Sequence, residues 1–240
     1  STIVSIGNKT VKTPTLSNEV KIKGDSQDVS NALDLINNLG DPNISLENAH
    51  TLAELKNINE KTAGTILFSS DTEELDGKTA DIKAALDGIN DYKGKITLSD
   101  ATTDTIDATE ITALADKTDK ATTIKTKFKI QGQSADIVTA LGKVVNTADA
   151  NIKFTNDHSL SDLKFINLET RGTIELKNDT VALEGKTADI TAALDGLTGY
   201  KGIITLSDDT TETIQATDIT ALANKTDAGK TAIKTQFKIQ

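Results

Sequence analysis

Two histidines, His50 and His158, are the only imidazoles in the chain, and 108 residues separate them. A catalytic or zinc pair needs rings that converge, with a Cys or second His at ligand spacing; neither has one, and the chain contains no cysteine. Each stands just before a helical pattern, which assigns it to a hydrogen bond at a helix start or turn. Acidic turns form a second set, Asp100, Asp104 and Asp107 in one and Asp208, Asp209 and Glu212 in another. Calcium selects clustered carboxylates, so Asp100, Asp104, Asp208 and Asp209 are the calcium candidates. They lack both EF-hand spacing and the glycine-rich nonapeptide of calcium β-rolls. The expectation is therefore solvated caps and turns, and no bound cofactor.

Gly77-Lys78-Thr79 and Gly185-Lys186-Thr187 copy the end of a phosphate-binding loop. The full pattern G-x-x-x-x-G-K-[ST] needs a glycine where this chain has Thr72 and Thr180, so nucleotide binding is not expected. No Gly-x-Ser-x-Gly elbow or Cys/His pair stands elsewhere, and the chain is read as a non-enzyme.

A long repeat positions all these residues. Gly77 to Asp100 returns almost letter for letter as Gly185 to Asp208, and 56 of the 98 residues from Val20 to Lys117 are identical to those 108 positions later. Within the repeat, Ile82, Ala85, Leu86 and Ile89 fall at i, i+3, i+4 and i+7, one face of a helix. The following residues alternate, Ile96 and Leu98 on one side, Lys95, Thr97 and Ser99 on the other, as in a half-buried strand. The same order recurs: a strand at Val20 to Lys23, a helix with Val29, Ala32, Leu33 and Ile36 and Ser26 as N-cap, a strand at Asn43 to Leu46, and a helix with Leu52, Leu55 and Ile58. Strands then follow at Thr65 to Phe68 and, after a crossover from Ala101 to Asp107 and a helix with Ile111 and Leu114, at Lys127 to Ile130. One insertion near Gly229 shifts the last match, pairing Phe128 with Phe237.

Successive strand–helix units too small to bury their own apolar face are the mark of a solenoid. The expected fold is a right-handed α/β solenoid, parallel strands on one side and helices on the other, in two cycles of about 108 residues with four strand–helix units each. Residues 1–19, with a strand-like Thr2 to Ile6 and Pro14, form a lead-in. Residues 20–127 are the first cycle, 128–236 the second and 237–240 the opening strand of a truncated third.

Composition limits function. Aromatic residues are 3 % and tryptophan is absent, so burial rests on many small aliphatic contacts. A net charge of −10 disfavours nucleic-acid phosphates, and no apolar run approaches the ~20 residues of a membrane span. With no methionine anywhere, the chain reads as a processed product or part of a longer one.

The run Thr51-Leu52-Ala53-Glu54-Leu55-Lys56-Asn57-Ile58-Asn59-Glu60-Lys61-Thr62-Ala63-Gly64-Thr65-Ile66, followed by Thr79-Ala80-Asp81-Ile82-x-Ala84-Ala85-Leu86, resembles the repeats of giant secreted or cell-surface proteins of marine cyanobacteria. That resemblance implies an extracellular segment with a structural, adhesive or motility-associated role, partnered by neighbouring repeats or further copies, and it brings no catalytic residue. Leucine-rich repeats also join a strand to a helix, but their L-x-x-L-x-L-x-x-N stretch does not occur here. On the outward strand face, Lys21, Lys23, Lys95, Lys129, Lys153 and Lys238 stand with Ser45, Thr97 and Thr205. Two readings stay open: polar residues that keep an uncovered sheet face wetted, or a contact face for anionic glycans, which would make the chain a carbohydrate-binding module.

Overall fold

A computed structural model describes residues 20–36, 40–70, 72–227 and 229–240. The lead-in and its Thr2 to Ile6 strand lie outside the described residues. The protein is α/β, and among the described residues every strand pairing is parallel. Two compact units divide the chain: residues up to Asp100 with Ala113–Lys125, and Ala101–Thr112 with Thr126–Gln240.

The first unit runs β1 (Lys21–Gly24), α1 (Ser26–Asp34), β2 (Asn43–Leu46), α2 (Leu52–Lys61), β3 (Ile66–Phe68), β4 (Leu75–Gly77), α3 (Thr79–Ala85) and β5 (Ile96–Leu98). After β6 (Thr105–Asp107), which belongs to the second unit, and α4 (Ala108–Ala115), which the division crosses, it gains β7 (Thr122–Ile124). Its sheets are β1-β2-β3 and β4-β5-β7. Lys21 lies opposite Asn43, Ile44 opposite Ile66, Leu75 opposite Ile96 and Ile96 opposite Thr122, so a strand pairs with one that comes little more than twenty residues later. Parallel neighbours need a crossover, and a helix supplies it.

In the second unit β6 is followed by β8 (Lys129–Gly132), α5 (Ser134–Lys143), β9 (Asn151–Phe154), α6 (Leu160–Glu169), β10 (Ile174–Glu175), β11 (Leu183–Gly185) and α7 (Thr187–Leu194). Then come β12 (Ile204–Leu206), β13 (Thr213–Ile214), α8 (Ala216–Ala223), β14 (Thr231–Ile233) and β15 (Lys238–Ile239). The sheets are β10-β9-β8-β6, β11-β12-β14 and β13-β15. Lys129 opposite Asn151 and Leu183 opposite Ile204 repeat the first unit's register 108 residues on. Ile204 faces Thr231, one residue further, because the turn before β14 absorbs the insertion.

Apolar spacing explains each core. Ile22, Ile44 and Leu46 of the strands are buried, as are Val29, Leu33, Leu55 and Ile58 of the helices that cross between them. Ile82, Ala85 and Leu86 are fully buried, but α3 ends at Ala85, and half-buried Ile89 lies beyond the helix once expected to carry it. Gly88, at φ 68°, makes the turn that stops it. Strands β4, β6, β7, β11, β13 and β14 were not expected. Each has only two or three residues, too short for an alternation to register.

The helix ends tie one segment to the next. Asp25, Lys78, Gln133 and Lys186 precede helices without a side-chain cap of their own. The cap comes from further down the chain: Asn48 Oδ1 accepts the Ser26 N–H at 2.7 Å and Asn156 Oδ1 the Ser134 N–H at 2.8 Å. Ser26, expected as the N-cap, is the first helical residue and is itself capped. At the other end, Asn59 donates to the Ala84 and Asp87 carbonyls, and Asn167 to those of Ala192 and Asp195. Orphan helix groups are thus satisfied across segments rather than within them.

Close approach at the turns demands glycine. A Cβ on Gly94 would lie 1.8 Å from the Glu73 carbonyl oxygen, and one on Gly202 2.0 Å from that of Val181. Gly94→Ala and Gly202→Ala should each cost about 2 kcal/mol, the scale of overpacking. Urea denaturation checks this, and unchanged midpoints would mean the neighbouring backbone gives way freely.

Candidate functional site

The acidic turns act on helices. Asp100 accepts the Thr79 N–H at 3.0 and 3.1 Å and the Thr79 hydroxyl at 2.6 Å; Asp208 accepts the Thr187 N–H at 2.9 Å and its hydroxyl at 2.6 Å. Both carboxylates are buried. They occupy the N-termini of α3 and α7, at the very threonines of the two Gly-Lys-Thr runs. Where a phosphate would sit in a nucleotide-binding loop, the chain places its own anion. Asp104 closes its turn on the Ala101 N–H at 3.0 Å, and Asp209 meets Lys186 at 2.7 Å. Among the described residues no three His, Cys, Asp or Glu side chains form a group that could hold a metal ion.

The histidines are buried, and the caps of α2 and α6 fall instead to their neighbours, Thr51 with Glu54 in a capping box and Ser159 with Asp162. His50 Nε2 lies 2.8 Å from the Tyr92 hydroxyl, which donates to the Glu73 carbonyl at 2.9 Å. Nε2–H is therefore the donor to Tyr92, and Nδ1 faces the Glu73 carboxylate at 3.8 Å. The second unit keeps the rings and drops the acid. Val181 stands where Glu73 did, Tyr200 donates to the Val181 carbonyl, and His158 lies between Phe154 and Tyr200 with neither ring nitrogen hydrogen-bonded among the described residues.

Burial lowers the pKa of His158, against the opposing pull of Asp157 and Asp162. In the unfolded chain it titrates at the ordinary value near 6.5. The folded protein thus binds fewer protons, so the stability tied to neutral His158 is complete above pH 6.5 and is lost as pH falls through the folded pKa. His158→Leu should flatten the fall in urea midpoint below pH 6.5. An identical pH profile in the variant would remove His158 as its source.

On the strand face the lysines meet acids. Lys23 lies 2.8 Å from Glu47, and Lys129 and Lys153 lie 3.5 and 3.1 Å from Glu175. Thr97 is only 7 % exposed and donates to Glu74. Lys21, Lys95 and Lys238 are exposed, and Ser45 and Thr205 half-buried. The face therefore presents carboxylates as well as ammonium groups. An open groove of about 870 Å³ runs along Asp41, Asn59, Thr62, Asp87 and Asp91 in the first unit. Its counterpart in the second carries Arg171 in place of Ala63, so the two grooves differ in charge.

Sequence reasoning missed Asn48, Asn156 and the Glu73–His50–Tyr92 group. A signal for the first pair was present, since Asn48 follows Ser26 by the same 22 residues as Asn156 follows Ser134. No helix among the described residues is long and apolar enough to cross a membrane. No protein-family model matches the chain, and comparison with curated proteins and with solved structures gives no match either.

Proposed function

We propose that the chain is a structural or adhesive rod segment of an extracellular, cell-surface protein, built as a right-handed α/β solenoid of two cycles. The observation that carries this reading is the pairing rule: parallel registers in the first unit recur in the second at an offset of 108, with capping side chains reaching from one segment to the next. Such a rule has no natural end, and that suits a protein whose task is length. Carboxylates that might serve catalysis or a cation are committed to helix N-termini.

A glycan array tests this against the carbohydrate-binding alternative. A rod segment retains no glycan through its strand face. Retention of an anionic glycan, lost on Lys129→Glu and Lys153→Glu, would make the chain a carbohydrate-binding module instead.

A further inference from the structure

Within the second unit, β6 and the start of α4 are covered. Thr105 pairs opposite Lys129 of β8, α5 follows β8, and Ala108, Ile111 and Ile130 are fully buried. One cycle later β13 and α8 repeat β6 and α4. There β15 takes the strand place in the same register, Thr213 opposite Lys238. Among the described residues no helix stands after β15 as α5 stands after β8. In consequence Ala216 is exposed, Ile219 is half-buried and Ile239 is 55 % exposed.

We propose that this β13–α8 face docks β1–α1 of a second copy of the chain, head to tail, with β15 displaced. The inference rests on the stacked-unit reading above and names its partner. What fits the face is already on the page, because the equivalent surface is covered by β8–α5, and β1–α1 is that element's repeat. Lys21, Ile22, Gly24, Ser26, Ala32 and Leu33 are identical to the residues 108 positions later. Among the described residues β1 pairs only with β2, leaving its other side for the strand that β6 provides to β8. In this register Ile22 of the incoming copy lies opposite Ile214.

β15 acts as an internal stand-in. Phe237-Lys238-Ile239-Gln240 imitates Val20-Lys21-Ile22-Lys23 but supplies no helix, so it fills the strand place and leaves the helix place bare. An incoming β1–α1 supplies both, pairing backbone at the strand edge and burying Ala216 and Ile219 beneath α1. The two surfaces differ, so the contact is heterologous and propagates into open chains rather than closing as a dimer.

Analytical ultracentrifugation of the whole chain and of Ile239→Asp tests it. Ile239 is exposed, so the substitution weakens the hold of β15 without touching a core. Ile239→Asp should lower the apparent dissociation constant for self-association by about tenfold, the gain from vacating a site its own strand fills most of the time. Adding Ala216→Glu to that variant should abolish the association, with circular dichroism unchanged. Ile239→Asp remaining as monomeric as the wild type, or association that survives Ala216→Glu, would overturn the proposal. Failure here leaves the rod reading to be judged by the dimensions of longer arrays, which do not depend on association.

Discussion

Leu86→Asp and Leu194→Asp are each expected to destabilise the protein by about 4 kcal/mol, the range for an unpaired charge placed in a core. Both leucines are fully buried at corresponding places, Leu86 as the C-cap of α3 and Leu194 as the last residue of α7. A core without tryptophan, resting on aliphatic side chains, has little beside the new carboxylate that could hydrate or pair with it. Leu67 and Leu168, 60 % and 66 % exposed, serve as controls. Their aspartate variants should shift stability by less than about 0.5 kcal/mol. Urea denaturation reads all four, and a wild-type midpoint in Leu86→Asp would mean that its helix face is wrongly assigned.

Removing a borrowed cap comes next in size. Asp100→Ala and Asp208→Ala should each cost about 3 kcal/mol, because each strands a buried N–H and a buried hydroxyl at once. Asp208→Asn should lose less, since Asn48 and Asn156 show that an amide oxygen can take the N–H of a first helical residue. Asp209→Ala, which removes only a surface partner of Lys186, should cost less than about 1 kcal/mol. Chelator added to the wild-type chain is expected to leave the thermal midpoint in place. A large drop would put calcium on these carboxylates and reverse their assignment as caps.

Much of this was legible in the sequence because it repeats. Ile82, Ala85 and Leu86 announce a buried helix face twice, and Ile22, Ile44 and Ile66 mark strands at a constant interval. Two- and three-residue strands such as Leu75-Asp76-Gly77 were not, since one apolar residue carries no period. They form because a neighbour's backbone is there to be paired. The acidic turns were legible as turns, but which donors they serve depends on bringing Asp100 back to Thr79 across a strand. His50 and His158 looked equivalent in sequence. Only packing separates them, through Glu73 facing one ring and Val181 replacing it beside the other.

The most direct measurement is small-angle X-ray scattering on chains carrying two, four and six cycles, made by repeating residues 21–128. If the cycles stack, each adds four units one strand thick, and the maximum dimension grows by about 19 Å per cycle at ~4.8 Å per strand. Growth that is linear at this increment, with the profile of a rigid particle, is the expected result. Dimensions that level off, as in a compact body, or that grow with the profile of globules on flexible links, would contradict the solenoid.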